Sequence, residues 1–197
     1  MENGPVGEVV ESSTLQFTVA CYQLYGAPSF GSLVKASQPG QGGWVYGVVY
    51  DVCTGSEPPG ANVTVRGSSG LRDDAIYQAN PDLAEIMRTR FMALTVGFGD
   101  GGATRQYLPP QPPPLHYSSY VCEADEVRSF TEQLGYLRTI LTNQQAPSDE
   151  LAAATIRQAR ACRPNDTTYA LRAGRQLALF LKEEYDRLRS ILAHIGV

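Results

Sequence analysis

A chain of 197 residues, 43% hydrophobic and 18% charged, carries a net charge of −4. That length holds one medium domain or two small ones with real cores. The charge argues against a generally basic nucleic-acid binder, though not against a local basic face. The basic residues are fourteen arginines and two lysines, Lys35 and Lys182, a bias to which no function is attached.

The opening MENGPVGEVVESS has neither a basic start nor an apolar core, so no signal peptide is predicted. Four strand-like runs lie in the first third: VGEVVES, LQFTVACY, SLVKAS and WVYGVVYDV. Ser12-Ser13-Thr14 and the glycine-rich Gly40–Gly43 make the turns. Phe17, Val19 and Cys21 alternate with Gln16, Thr18 and Ala20, the period of a half-buried strand. Ser56–Gly70 reads as a surface loop. Asn80–Thr89 reads as a short helix with Asn80 as N-cap and Pro81 at its first position. Its apolar face is Leu83, Ile86 and Met87. RFMALTVGF and TRQYL are two further predicted strands, separated by Gly99–Gly102. Gly7, Gly31, Gly47 and Gly97 sit in or beside strands, where a curved barrel needs bulges or close backbone approach. Five prolines between Pro109 and Pro114 predict a polyproline-like segment that ends the β region.

From about Glu123 the spacing is helical. Val127, Phe130, Leu134, Leu137 and Leu141 belong to a first predicted helix. A second has Ser148 as N-cap and Leu151 as its first apolar anchor. A third starts near Asp166 or Thr167. Its stripe is Leu177, Phe180, Leu181, Tyr185, Leu188, Ile191, Leu192 and Ile195, which can pack on its siblings, on the barrel or on another copy. Residues 124–197 hold ten basic and nine acidic side chains, so the remaining −5 lies in the β half. The expected fold class is α+β. A small closed β-barrel with a short inserted helix occupies residues 5–122, and a three-helix segment occupies residues 123–197.

Motifs for chemistry are few. Neither lysine follows a glycine, so the phosphate-binding G-x-x-x-x-G-K-[ST] loop is absent. GFGDGG at Gly97–Gly102 is followed by ATRQYL rather than by a helix, which favours a hairpin turn over a dinucleotide loop. Cys21, Cys53, Cys122 and Cys162 include no C-x-x-C pair. With only His116 and His194 beside them they give no zinc frame. Each cysteine sits among apolar residues and is expected to be a buried, reduced thiol in a cytoplasmic protein. No run approaches the roughly 20 apolar residues of a membrane span. Asp73 and Asp74 are adjacent, and adjacent strand residues point to opposite faces, so they are poor acid–base partners. His116 has no identifiable nucleophile or orienting acid beside it. No catalytic residue, cofactor or metal ligand is assigned. Arg157, Arg160 and Arg163 recur at helical spacing, and Arg172 and Arg175 open the next helix. Converging, they could hold a phosphate backbone. A solvated face balanced by Asp149, Glu150 and Asp166 is the favoured reading.

The order VGEVVESSTLQFTVAC, FGSLVKA, GWVYGVVYDV, NPDLAEIMRTRFMALTVGF and YLPPQPPPLHY resembles the HAS-barrel, the small β-barrel shared by HerA-type DNA-translocating ATPases and rotary ATP synthases. Gly7 and Ser12-Ser13-Thr14 match its opening strand pair. Phe30–Val34 and Gly47-Val48-Val49 match the next two strands. Asn80–Phe91 matches a helix-and-strand insertion, and the prolines before His116 match the exit from the barrel. The chain resembles even more the small standalone bacterial members, as in cyanobacteria, which have a barrel and a helical tail. Those proteins lead into helices rather than a P-loop motor, so no ATPase residue carries over. The resemblance implies a role in assembly.

Three readings follow. The first is a non-catalytic interaction module that docks to itself, as a homo-oligomer, or to a HerA-like ATPase or nuclease of a DNA-processing system. Its candidate self-association stripe is Leu177, Phe180, Leu181, Tyr185, Leu188, Ile191 and Leu192. The second is a nucleic-acid-binding accessory using Arg157, Arg160, Arg163, Arg172 and Arg175, with Tyr22, Tyr25, Trp44 and Tyr46 as stacking groups. The third and last-ranked is an enzyme built from Asp73, Asp74, Asp100 and His116.

Overall fold

The computed structural model describes residues 4–39, 43–57, 65–67, 70–100 and 102–196. Most of the predicted loop Ser56–Gly70 lies outside the described residues, as do residues 40–42 and 101 of the two predicted glycine turns. The strands in chain order are β1 (Gly7–Ser12), β2 (Gln16–Cys21), β3 (Leu33–Ser37), β4 (Trp44–Ser56), β5 (Met87–Asp100), β6 (Ala103–Arg105) and β7 (Ser118–Val121). All pair antiparallel, in the order β2-β1-β7-β3-β4-β5. β2 also pairs with β5, from Gln16↔Leu94 to Ala20↔Arg90, which closes six strands into a barrel. β6 adds to the outside of β5.

Side-chain alternation divides the apolar residues of these strands between two cores. Val9, Phe17, Val19, Cys21, Val34, Ala36, Val45, Val49, Phe91 and Ala93 fill the barrel. Their neighbours Leu33, Val48, Leu94, Val96 and Cys122 belong to a second core, shared with the helices. Gly47 shows how tightly the interior is filled. A Cβ there would lie 2.8 Å from the Phe17 ring and 2.9 Å from Ala93 Cβ, and the β4–β5 register shifts beside it.

The proline run does not end the β region. It is a strap across the barrel. Ser12 Oγ donates to the Pro113 carbonyl at 2.5 Å, and Gln38 Nε2 donates to that of Gln111 at 3.1 Å. The His116 N–H then bonds Val9 O at 2.8 Å, and β7 enters between β1 and β3. The short serine-rich β7 lacks the alternating pattern that marks the other strands, which is why SSYV was not legible as one. TRQYL contributes only Thr104 and Arg105 to β6, because Gln106 turns toward the helices.

The inserted helix also differs. α1 (Asp74–Ala79) precedes Asn80, which is its C-cap rather than an N-cap, and α2 is only Leu83–Ile86. Met87 already pairs with Ser56 in the β4–β5 ladder, and that long pairing overrides the local helix signal.

The C-terminal segment holds five helices among the described residues, not three. They are α3 (Ala124–Phe130), α4 (Tyr136–Leu141), α5 (Ser148–Ala161), α6 (Tyr169–Phe180) and α7 (Tyr185–Ile195). The apolar spacing runs through the breaks at Thr131–Gly135 and Leu181–Glu184 because both flanking helices face the same core. α5 is the centre. Leu151, Ala152, Ala153, Ala154, Thr155, Ile156 and Ala159 are all buried, and α4, α6 and α7 pack on it. Its exposed residues are confined to Glu150, Arg157, Arg160 and Ala161, on one side of the helix. Its N-cap is Pro147, not Ser148, whose hydroxyl instead accepts a hydrogen bond from Arg187 Nη2 at 2.9 Å. At α6 the N-cap is Thr168. Asp166 Oδ1 accepts the Thr168 N–H and hydroxyl just ahead of it.

Gly31 joins the two cores. Its φ is +84°, and a Cβ there would stand 2.7 Å from Ala154 Cβ on α5. Left-handed strain and a collision with packed backbone act together at this site. Gly31→Ala is expected to cost about 3 kcal/mol. Gly102→Ala, with φ +88° and nothing within 4 Å, is expected to cost about 1 kcal/mol. Urea unfolding of the two variants measures the difference.

Candidate interaction surfaces

The residues considered for chemistry sit on separate elements. Asp73 is the N-cap position of α1, with φ 49° and no side-chain cap, and Asp74 is the first residue of that helix. His116 lies beside β1 with its side chain 81% exposed and Nδ1 3.3 Å from Glu8 Oε2. Asp100 ends β5, and its side chain lies outside the described residues. Among the described residues no group of three or more His, Cys, Asp or Glu is placed to hold a metal ion. No helix described is long and apolar enough to cross a membrane.

The five arginines have three different environments. Arg163 is buried. Its Nη1 donates to Ala159 O at 3.0 Å, its Nη2 donates to Arg128 O, and its guanidinium sits 4.3 Å over the Tyr169 ring. Arg172 is clamped between Glu132 at 2.7 Å and Asp166 at 3.3 Å. The hydrogen bond from Arg172 holds the Glu132 carboxyl below its usual range. Asp166 is lowered chiefly by Thr168. Arg157 is exposed and donates to His194 O at 2.6 Å, while Arg160 and Arg175 are exposed. Two of the five guanidiniums therefore brace the α3–α5–α6 junction around Tyr169 instead of facing solvent.

The last-helix stripe is also occupied. Leu177, Leu181, Ile191 and Ile195 are buried in the helical core, and Phe180, Leu188 and Leu192 pack against it. Tyr185 alone of that stripe is strongly exposed, at 75%. The apolar spacing reports intramolecular packing, so the stripe is not a free face for a second copy.

The four aromatic candidates are dispersed. Tyr22 donates to Glu8, and Tyr25 packs edge-to-face on Tyr77. Tyr46 is packed on Phe130 with ring centroids 5.0 Å apart, so α3 covers it. Burial pushes its phenol up to about 12. Trp44 meets Tyr120 edge-to-face at 5.6 Å and carries Lys35 Nζ 4.5 Å over its ring. These two aromatics line a groove of about 590 Å³ with Pro5, Glu123 and Glu126. The cation there is already paired, because Lys35 Nζ bonds the Glu126 carboxylate.

A second groove, of about 670 Å³, lies between the barrel and α4. Its apolar lining is Leu15, Leu94, Tyr107 and Leu108. Leu15 is 53% exposed and Tyr107 60%. The opposite wall is α4 and the turn after it, with Arg138, Thr139, Thr142, Asn143, Gln144 and Gln145. Gln106 fixes the two walls together. Its Nε2 donates to Phe130 O at 2.7 Å and Gln133 O at 3.0 Å, while its Oε1 accepts the Tyr136 N–H at 3.0 Å. That last bond satisfies one of the orphan donors at the start of α4. Thr95 at the groove is fully buried, and its Oγ1 has no hydrogen-bond partner among the described residues. Such an unpaired hydroxyl costs on the order of 1–3 kcal/mol. None of these groove residues stood out in the sequence. The groove is assembled from β5, the segment after β6, and α4, and no local pattern brings them together.

Of the four thiols, Cys21 and Cys122 are buried, Cys162 is half-buried and Cys53 is exposed; all are free. The expectation of a buried thiol fails at Cys53, which lies in the exposed stretch Asp51–Cys53 of β4. Burial raises Cys21 to about 11. Comparison with known proteins finds no matching family model and no similar curated protein.

Alkylation of the folded chain with iodoacetamide is expected to label Cys53 first, and Cys21 and Cys122 only on unfolding, as peptide mass mapping will read. Cys21 holds its proton more tightly folded than unfolded. Its contribution to stability is therefore present below pH 9 and lost as pH rises toward about 11. Chemical unfolding across that alkaline window will show the decline. Arg163→Ala is expected to cost about 2–3 kcal/mol, and Arg160→Ala or Arg175→Ala less than about 0.5. Equal losses at all three positions would contradict the placement of Arg163.

Proposed function

We propose that this chain is a non-catalytic interaction and assembly module, a rigid barrel whose helical flank presents a docking groove. The observation that carries the reading is the groove beside α4. The chain's own helices cover Leu33, Val48, Leu94 and Val96 on the outer face of β3–β5, yet leave Leu15, Tyr107 and Leu108 exposed around a cavity of about 670 Å³. A prebuilt concave site with an apolar lip and a few polar groups is what a binding surface requires. The resemblance to HAS-barrels extends the reading to a class of partner, namely a HerA-like ATPase, its nuclease, or another copy of the barrel in a ring. The nucleic-acid reading loses its main support, since Arg163 and Arg172 are committed to internal contacts.

The test compares the wild-type chain with a Leu15→Asp/Leu108→Asp variant that keeps the wild-type circular dichroism. Sedimentation velocity across micromolar concentrations reads self-association, and tagged capture from lysate of the source cells reads other partners. The wild type is expected to assemble or to recover a discrete partner, and the variant to lose it. A wild-type chain that is monomeric throughout and recovers nothing specific would overturn the proposal.

A further inference from the structure

Resting on that reading, we infer that the groove between β5 and α4 takes an extended acidic peptide, its carboxylate on Arg138 and an apolar side chain against Leu15 and Leu108. Three observations lead there. Arg138 is the one ionic side chain lining the groove among the described residues, and its guanidinium has no hydrogen bond or ion pair among them. The contrast is with Arg157, Arg163, Arg172 and Arg187, each of which has an internal partner. In a chain of net charge −4, a groove with one unpaired cation and no carboxylate selects for a negative group by charge complementarity.

The second observation is Thr95. It is fully buried at the groove with an Oγ1 that has no partner among the described residues. The hydroxyl has no exposed surface, so a peptide N–H or carbonyl meets it only where binding opens the β5 wall, and that contact would satisfy a group the fold leaves unpaired. The third is the wall after α4. Asn143 Oδ1 is taken by the Gln145 and Ala146 N–H groups, at 2.7 and 3.0 Å, which leaves the carboxamides of Gln144 and Gln145 at the rim, and carboxamides both donate to and accept from a peptide backbone. The Trp44 groove has no such opening, because its one cation, Lys35, is already paired with Glu126.

The probe is a displayed library of random linear peptides, selected on the intact chain. The consensus is then synthesised and titrated by fluorescence anisotropy. Selected peptides are expected to pair an Asp or Glu with a nearby Leu or aromatic residue. Arg138→Glu should weaken the consensus peptide about tenfold or more, and a peptide with Lys in place of the acid should regain affinity for that variant. Thr95→Val should weaken binding about threefold. Hydrogen exchange should show protection across Arg138–Gln145. No enrichment, enrichment without an acid, an Arg138→Glu variant of unchanged affinity, or protection elsewhere would each overturn the inference. A dimer abolished by Arg138→Glu would assign the groove to a second copy instead. If the assembly measured for the wild type persists while peptides fail, the interaction reading stands and this groove assignment falls. If both fail, both fall.

Discussion

The structure depends on a barrel that is apolar on both faces. A strand with water on one side can place polar residues there, but Leu33, Val48, Leu94 and Val96 point outward from β3, β4 and β5 and are nearly as buried as the interior. An outer face of that kind must be covered. Everything after β7 follows from this need. α4 contacts β5, and α5 lies on α4 with its alanines close enough to admit the backbone at Gly31. α6 and α7 then enclose α5. The helices are therefore the second half of one core and not an independent appendage.

Coverage also explains the charged residues. A buried arginine is costly unless its donors are met. Arg163 is met by two carbonyls and the face of Tyr169, and the half-buried Arg172 by two carboxylates at its Nη atoms, its Nε having no partner among the described residues. These contacts tie α3 to α5 and α6, where apolar packing alone specifies orientation weakly. Arg187 does the same at the other end, reaching Asp149, Ser148 and the Leu141 carbonyl. The arginine-rich composition thus has a structural use, since a planar fork can bond several acceptors at once.

Much of the architecture was legible in the chain. β1 to β5 alternate or run apolar, and glycine marks the places where a Cβ cannot fit, as at Gly47 and Gly31. The closed barrel and the helical second half could be read from those signals. β7 could not, because SSYV is short and its burial comes from strands more than 80 residues away. Nor could the helix breaks, since an apolar period continues across a turn when both sides face one core. The groove was illegible for a similar reason. Gln106, Thr95 and Arg138 are ordinary residues in their own segments, and only the fold makes them neighbours.

The path of the proline strap bears on how the protein is made. β7 lies between β1 and β3, so the sheet stays open until residues 118–121 arrive. A nascent chain that has emerged only as far as Pro109 holds most of the strands yet exposes two unpaired edges, those of β1 and β3. Closure thus waits on a long-range pairing of Val6 with Ser119, and such non-local contacts form slowly. The prolines lower the entropic cost of that closure. A stiff extended segment pinned along β1 has fewer conformations to lose than a flexible loop would, and it delivers the last strand already aligned.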